Sequence, residues 1–424
     1  MSDINITKFL LDLEDENLIP DENSCTGYMT LPNGITAKLL KLKSTTPFVV
    51  CPECGQILTA LHDYRTVKIK HYTCGKQPLI VSIRKKRFKC LDCNLKVTED
   101  LSLVNKHCFI SNGIKRSILA SLTEMGSLKG IAVSHNVSHT TVYQALNKVP
   151  PVRKALSLSP VLSFDEFRAN TTDGKYAFMV VDPIGKKILE ILPSRRFSQV
   201  YSFFARFSRK ERNKVKFIVI DLWKPYEKVI RKLFPNATLV ADKFHYQRLV
   251  NRSLNEIRKQ ACSKMDSKTA YQVKKNWRLL GKSFDKVDDK EKRYSYLLRR
   301  YATDYEVLNH ILSLDSQLAA AHGLYQEFLC LISLSDQKLQ VTMLKNWIQK
   351  AMASGIQELQ SNARTLSQWF EAIASSFDHY EGHRLSNAFI EGTNNKIKVI
   401  KRVSFGYRSF INFRKRILLI CSCC

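Results

Sequence analysis

Two aspartates that close short β-branched runs constrain the fold of this chain more than any other feature. Asp165 follows Val161-Leu162-Ser163-Phe164, and Asp221 follows Phe217-Ile218-Val219-Ile220. Runs this short and this apolar predict buried strands, not helices. A third carboxylate, Glu391, stands in Ser386-Asn387-Ala388-Phe389-Ile390-Glu391-Gly392-Thr393-Asn394-Asn395-Lys396, a polar and basic segment that predicts a helix. Two strand-end aspartates and one helical glutamate supply oxygen ligands from separate rigid elements, as a site for two hard cations requires. Asp242 also ends an apolar run and competes with Asp221 for the second position. Glu166 adjoins Asp165 but points to the opposite face of the strand, which makes it the poorer ligand.

The order of elements around these acids predicts an α/β domain. Strands are expected at 161–164, 176–181 and 187–192, then a helix around 199–207. Strands at 217–220 and 238–240 flank a helix near 226–233. Three consecutive strands followed by strand, helix and strand is the order of an RNase H-like domain, although alternation alone admits other α/β folds. From 245 to about 377 the pattern is almost wholly helical, with Trp277, Leu279, Leu280, Leu297, Leu298, Leu308, Ile311, Leu312 and Leu331 as core. It reads as an all-α insertion between the second aspartate and the glutamate, with an independent helical domain as the alternative.

On the last helix Asn387, Glu391, Asn395, Lys398 and Arg402 recur at steps of three or four and share a face, while Ile390 and Ile397 lie on another. A solvated surface is the bland reading of that stripe. A metal ligand beside donors for phosphate explains it better, and Gly392, which costs a helix about 1 kcal/mol, hints at close approach. Phe405-Gly406-Tyr407-Arg408 and Phe413-Arg414-Lys415-Arg416 extend a basic, aromatic surface suited to DNA.

Further upstream the composition changes. Cys51-Pro52-Glu53-Cys54 and Cys90-Leu91-Asp92-Cys93 are two Cys-x-x-Cys turns separated by β-rich sequence. Each presents two sulfurs at the separation a tetrahedral zinc ion needs, so Cys51, Cys54, Cys90 and Cys93 predict a structural zinc ribbon. Cys74 is the rival ligand and reads as packing or a free thiol. Twelve cysteines, with no signal peptide at Met1-Ser2-Asp3-Ile4-Asn5, do not suggest a disulfide framework. Arg84-Lys85-Lys86-Arg87-Phe88-Lys89 lies between the turns, where Lys85 and Arg87 are placed to follow a phosphate backbone and Phe88 to pack on the ribbon or stack on a base.

From Ser111 the period becomes helical, with Ile114, Ile118, Leu119, Leu122 and Met125 forming an expected apolar face. Leu128–Val133 as residues 128–133, a turn at 134–137 and a helix from Ser138 then read as helix-turn-helix. Val137, Val142 and Leu146 face its core. Ser138, His139, Thr140 and Gln144 are left outward, at the front of a recognition helix. An ordinary helical hairpin is the alternative. The 67 Lys and Arg against 38 Asp and Glu give a formal charge of +29, which favours a polyanionic partner. No apolar stretch is long enough to span a bilayer, so the expected setting is the cytoplasm, associated with the nucleoid, without membrane contact.

In combination these motifs resemble the ISL3 family of bacterial insertion-sequence transposases, over nearly the whole chain. The matching residues are the Cys51/Cys54 and Cys90/Cys93 pairs, the helix-turn-helix, Phe164-Asp165-Glu166-Phe167, Ile220-Asp221-Leu222-Trp223-Lys224-Pro225-Tyr226, Ala241-Asp242-Lys243-Phe244-His245 and Ser386 through Lys398. The resemblance implies an RNase H-like DDE catalytic domain with Asp165, Asp221 and Glu391 as catalytic ligands of Mg²⁺ or Mn²⁺. Asp242 and His245, spaced like a motif of related transposases, would support them, with Asn387, Asn395 and Lys398.

The chain is thus expected to be a multidomain α/β protein. Its parts are an N-terminal segment (1–45), zinc ribbon (46–104), helix-turn-helix domain (105–150), RNase H-like core (158–250), all-α insertion (251–376) and C-terminal catalytic helix (377–420). The resemblance implies cleavage and strand transfer at the terminal inverted repeats of its element, on double-stranded DNA, by a homo-oligomer assembled there. A sequence-specific DNA-binding regulator with an inactive transposase-like domain is the alternative. The ending Cys421-Ser422-Cys423-Cys424 fits the family pattern least.

Overall fold

In the computed structural model the described residues are 11–422, apart from 14, 22–24, 75–76 and 151–156. The side chain of Cys74, and Cys423 and Cys424, therefore lie outside them. The chain divides into two compact units, Met1–Val152 with Lys396–Cys424, and Arg153–Asn395.

The first unit opens on a sheet built from strand β1 (Thr36–Ser44) and a long hairpin, β2 (Leu61–Cys74) and β3 (Gln77–Lys89). β2 and β3 pair antiparallel and β1 runs parallel to β3. One face is apolar: Leu40, Leu42, Ile69, Val81 and Ile83 pack with Leu101 and Leu103. At about 25 cal/mol per Å² of buried apolar area, such a layer holds a small sheet that no isolated hairpin could maintain. The hairpin strands run 14 and 13 residues, much longer than the apolar runs that announce them, because the basic stretch 84–89 continues the ladder.

Three helices follow, α1 (Asn112–Ser121), α2 (Leu128–Ser134) and α3 (His139–Lys148). Each has a serine N-cap, Ser111, Ser127 and Ser138, whose side chain accepts from a backbone N–H three residues on. Asn136, at φ +50°, makes the turn between α2 and α3 in a conformation that asparagine tolerates. Their core is Ile114, Ile118, Leu122, Ile131, Ala132, Val142 and Leu146. Leu119 and Met125 are exposed instead, which narrows the apolar face of α1 expected from its periodicity.

The second unit is built on a five-stranded sheet of β4 (Val161–Thr171), β5 (Gly174–Asp182), β6 (Lys187–Leu192), β7 (Phe217–Ile220) and β8 (Thr238–Ala241). The spatial order is β6-β5-β4-β7-β8. β4, β5 and β6 pair antiparallel, while β7 joins β4 and β8 joins β7 in parallel. Helices α4 (Phe197–Ala205) and α5 (Lys224–Leu233) supply residues to one core with Leu162, Phe164, Ile218, Ile220 and Ala241. Phe164 stacks on Phe204 at 5.1 Å and meets Phe178 edge-on at 5.3 Å. Val161, Val219 and Val240 face the other way, with Leu385.

Beyond β8 comes α6 (Lys243–Ser263), against which helices Ser316–Ser333 and Gln357–Gln368 pack. The region is not wholly helical, since a small hairpin, Arg293–Ser295 with Arg300–Ala302, interrupts it. The chain returns through α7 (Ala388–Val403) and ends in α8 (Phe410–Ser422), which belongs to the first unit. The sequence grouping of 377–420 with the catalytic core differs from this division.

Candidate active site

Strand alternation decides which side chains meet. Phe164 is buried toward α4 and α5, so its neighbour Asp165 faces the opposite side of the sheet, with Val161. Ile220 is likewise buried toward the helices and Val219 away from them, which places Asp221 on the face that carries Asp165. The same count from Val240 puts Asp242 there too. Asp165 does not end its strand, however: β4 continues to Thr171, and Asp165 pairs with Met179 mid-sheet.

The three acids are held by His245, Asn387 and Asn394. His245, in the first turn of α6, places Nδ1 2.9 Å from Asp221 Oδ1 and 3.0 Å from Asp242 Oδ2. Burial opposes protonation of this imidazole, but the hydrogen bonds and charges of Asp221 and Asp242 hold its pKa up to about 10. Burial, and then the charge of Asp221, push the Asp165 carboxyl up to about 7. Asp242 is buried and accepts the backbone N–H of Asn387 at 3.0 Å.

The start of α7 lies over these acids. Asn387 Nδ2 is 3.5 Å from Asp221 Oδ1, and Asn394 Nδ2 donates to Asp165 Oδ2 at 2.6 Å. Glu391 falls between them at i+4 and i+7 spacing, on the same helix face, and is exposed. The sequence pattern followed four-residue steps to Asn395; the bond is made by Asn394, because seven residues complete two helical turns from Asn387. Asn395 and Lys398 continue the helix, and Lys398 falls in the first unit with Arg402.

Glu166, on the other face, accepts from Tyr226 Oη at 3.0 Å and pairs with Arg195. Arg195 also lies over the rings of Tyr176 and Trp223, at 4.4 and 4.9 Å. Those interactions fix the strand beneath Asp165. No spacing in the sequence marks Arg195, whereas Trp223-Lys224-Pro225-Tyr226 was visible as a motif.

Whether the acids suit a divalent cation follows from what they lack. The charge of Asp221 helps to raise the pKa of Asp165 on one sheet face, and the Oδ1 atoms of Asn387 and Asn394 are buried without a hydrogen-bond partner among the described residues. Unbalanced negative charge beside orphaned oxygen acceptors fits a hard cation. The ligand atoms of Asp221, Asp242 and His245 also lie within 4.8 Å of one another.

In the first unit, the Sγ atoms of Cys51, Cys54, Cys90 and Cys93 all lie within 4.8 Å of one another, with 3.6 Å between those of Cys54 and Cys90. A tetrahedron at Zn–S distances of about 2.3 Å separates its sulfurs by about 3.8 Å, so the set fits zinc. Each turn closes on a left-handed residue, Gly55 at φ +75° and Asn94 at φ +54°. Phe88 is buried beside Cys51 and Cys90, and so packs on the ribbon. Lys85 is half-buried, which lowers its pKa, and Arg87 pairs with Asp63.

Ser138, His139, Thr140 and Gln144 are exposed along the front of α3, and Val142 and Leu146 are buried. Lys415 and Arg416, expected on a DNA-facing surface, are instead buried. Lys415 Nζ donates to the carbonyls of Leu146 and Asn147, at 3.2 and 2.8 Å, at the end of α3. The Arg416 guanidinium donates to those of Leu122, Glu124 and Gly126, just past α1. Cations at helix C-termini satisfy carbonyls that would otherwise be orphaned.

Comparison with known proteins places these features. The family described as Transposase, of the ISL3 DDE type, matches residues 162–417, and the zinc-finger of transposase IS204/IS1001/IS1096/IS1165 matches residues 47–93. The chain is 25% identical over 374 residues to the transposase for insertion sequence element IS1001 of Bordetella parapertussis, covering 87% of each protein. A shorter stretch of 132 residues is 30% identical to a protein named ATP-dependent protease in Lactococcus lactis subsp. lactis, covering 31% of this chain and 40% of that one. No helix among the described residues is long and apolar enough to cross a membrane.

Proposed function

Because the chain belongs to the ISL3 family of transposases, we propose that it binds the terminal inverted repeats of its own insertion sequence, cuts the DNA there and joins the freed ends to a target. The observation that carries this reading is the convergence of Asp165 and Asp221 on one face of a sheet beneath the helix face bearing Glu391. Antiparallel β6-β5-β4 continued by parallel β7 and β8 supports an RNase H-like core. Asp165, Asp221 and Glu391 would hold Mg²⁺ or Mn²⁺. When bound, such ions activate an attacking oxygen and stabilise the leaving one in displacement at phosphorus.

The chain's own residues set up that chemistry. Asn394 and Asn387 orient the carboxylates of Asp165 and Asp221 with their amide N–H groups, leaving oxygen lone pairs free for ligation. Asp242 ties the start of α7 to β8 and, with Asp221, holds His245 protonated. We therefore read Asp242 and His245 as positioning residues. That protonated imidazole offsets negative charge beside the acids and can stand near a phosphate without competing for a metal ion.

Recognition is assigned to α2 and α3 as a helix-turn-helix whose exposed His139, Thr140 and Gln144 read base edges, with Ser138 and Arg402 contacting the backbone. The ribbon, through Lys85 and Arg87, adds contacts weakened by their burial and by the Asp63 pair. An electrophoretic assay with the element's own ends and with unrelated duplex tests the whole reading. The expected result is preference for the ends and Mn²⁺-dependent cleavage at them. Preference without cleavage would favour a DNA-binding regulator, and absence of preference would refute both.

A further inference from the structure

We infer that Phe405, in the loop joining α7 to α8, is a DNA-inserting side chain that unstacks a base step beside the segment read by α3. The inference rests on the DNA-binding reading above and adds a contact that reading does not contain.

The first observation is conformational. α7 ends in a Schellman motif: Gly406 N–H bonds to Lys401 C=O at 2.9 Å and Phe405 N–H to Arg402 C=O at 3.1 Å. That motif requires the left-handed conformation at its penultimate position, usually filled by glycine, and Phe405 adopts it at φ +55°. Gly406 stands one residue too late to relieve the cost. Every other non-glycine residue at positive φ among those described is polar or charged: Asp12, Asn94, His107, Asn136, Asn170, Lys186, Arg299 and Glu381. A bulky aromatic in this conformation is an outlier.

The second observation is that nothing among the described residues compensates. Phe405 is 96% exposed, the most exposed large hydrophobic residue among those described. The loop around it is nevertheless fixed, because Ser404 Oγ and Tyr407 Oη lie 2.8 Å apart and Tyr407 stacks on buried Phe413 at 4.8 Å. Strain held by its surroundings, on a side chain that buries no area, points to an interaction outside the chain.

The third observation identifies the occupant. Phe405 borders an open groove of about 760 Å³ that also includes Val133, His139 and Tyr143 from α2 and α3. Its charged lining residues are Lys129 and Arg408, and none is acidic. A duplex whose major groove receives α3 therefore passes a rigid, positively flanked aromatic wedge. Apolar side chains inserted between base steps unstack them and kink DNA, as minor-groove wedges do.

The test uses the full-length protein and a duplex of the element's end carrying 2-aminopurine at successive positions next to the α3 contact site. The parent protein is expected to raise fluorescence at one step. Phe405→Asn, which tolerates the left-handed conformation, should lose that rise and bind about tenfold more weakly. Its thermal midpoint should be unchanged or higher, which separates the effect from misfolding, and Phe405→Gly should behave alike. Retained unstacking in either variant overturns the inference. So does a parent that binds without unstacking, or a variant whose only change is conversion from a DNA-free dimer to monomer, which would assign the groove to a second copy of the chain. A parent that shows no preference for the end refutes the DNA-binding reading itself.

Discussion

Asn394 donates a 2.6 Å hydrogen bond to the carboxylate of Asp165 across 229 residues of sequence, joining α7 to the middle of β4. The bond places the face carrying Glu391 relative to an acid on the sheet. Asn394→Ala is therefore expected to reduce cleavage of the element's end about tenfold or more while costing roughly 1 kcal/mol in stability. Parallel cleavage kinetics and urea unfolding check both numbers. Unchanged cleavage by a folded variant would remove Asn394 from the site.

The titration of the acid cluster gives a second expectation, for protein without a divalent cation at the acids. His245 is held at about 10 against an ordinary 6.5, so its contribution is full below about pH 6.5 and lost as pH rises through 10. Asp165 is held at about 7 against 3.8, so the folded state also loses stability as pH rises from about 4 through 7. Both effects have one sign. Thermal midpoints of zinc-loaded protein without added Mg²⁺ or Mn²⁺ should fall across the two windows, His245→Gln should flatten the upper one, and Asp165→Asn the lower. Added Mg²⁺ should raise the midpoint more at about pH 8 than at about pH 5, since only the ionised carboxylates bind it.

Much of this arrangement was legible in the sequence, and the misses share a cause. The strand at 217–220 and the turn between α2 and α3 were marked by local signals, namely a β-branched run and a serine N-cap. The strand carrying Asp165 is longer than its apolar run, because after Phe164 the polar Glu166, Arg168 and Asn170 alternate with Phe167 and Ala169 and break the run. Asn394 was not singled out, because helical spacing alone does not show which side chain reaches Asp165. Lys415 and Arg416 looked like surface charge for a related reason: composition does not reveal that the carbonyls ending α1 and α3 await a donor. The zinc turns needed no tertiary information, as their spacing carries the geometry.

Zinc content tests the ribbon. Purified protein is expected to contain about one zinc per chain, and Cys51→Ser or Cys90→Ser to lose the metal and unfold the hairpin region, because ligation supplies much of the folding energy of a small ribbon. Elemental analysis with circular dichroism reads both. A metal-free protein that keeps the hairpin would overturn the assignment.

Arg416 makes a contrasting prediction about cations. Its guanidinium is buried and serves three carbonyl oxygens at the end of α1, so Arg416→Leu should destabilise the protein by about 3 kcal/mol. Arg402 is exposed, and Arg402→Ala should stay within about 0.5 kcal/mol while weakening DNA binding. Denaturant titrations of the two variants should separate them. Equal stability losses would mean that Arg416 is not a structural cap.

Strand cleavage by carboxylate variants bears most directly on the central claim. Asp165→Asn, Asp221→Asn, Glu391→Gln and Asp242→Asn would be compared with the parent on the element's own end, with Mg²⁺ or Mn²⁺, after each is shown to bind that DNA. The first three are expected to bind normally and lose nearly all cleavage, with no further loss when combined, because they act as one unit. Asp242→Asn should retain measurable cleavage. Loss in Asp242→Asn with survival in Asp221→Asn would reassign the second ligand, and cleavage at the parental rate by Asp165→Asn, Asp221→Asn and Glu391→Gln would contradict the metal-dependent mechanism.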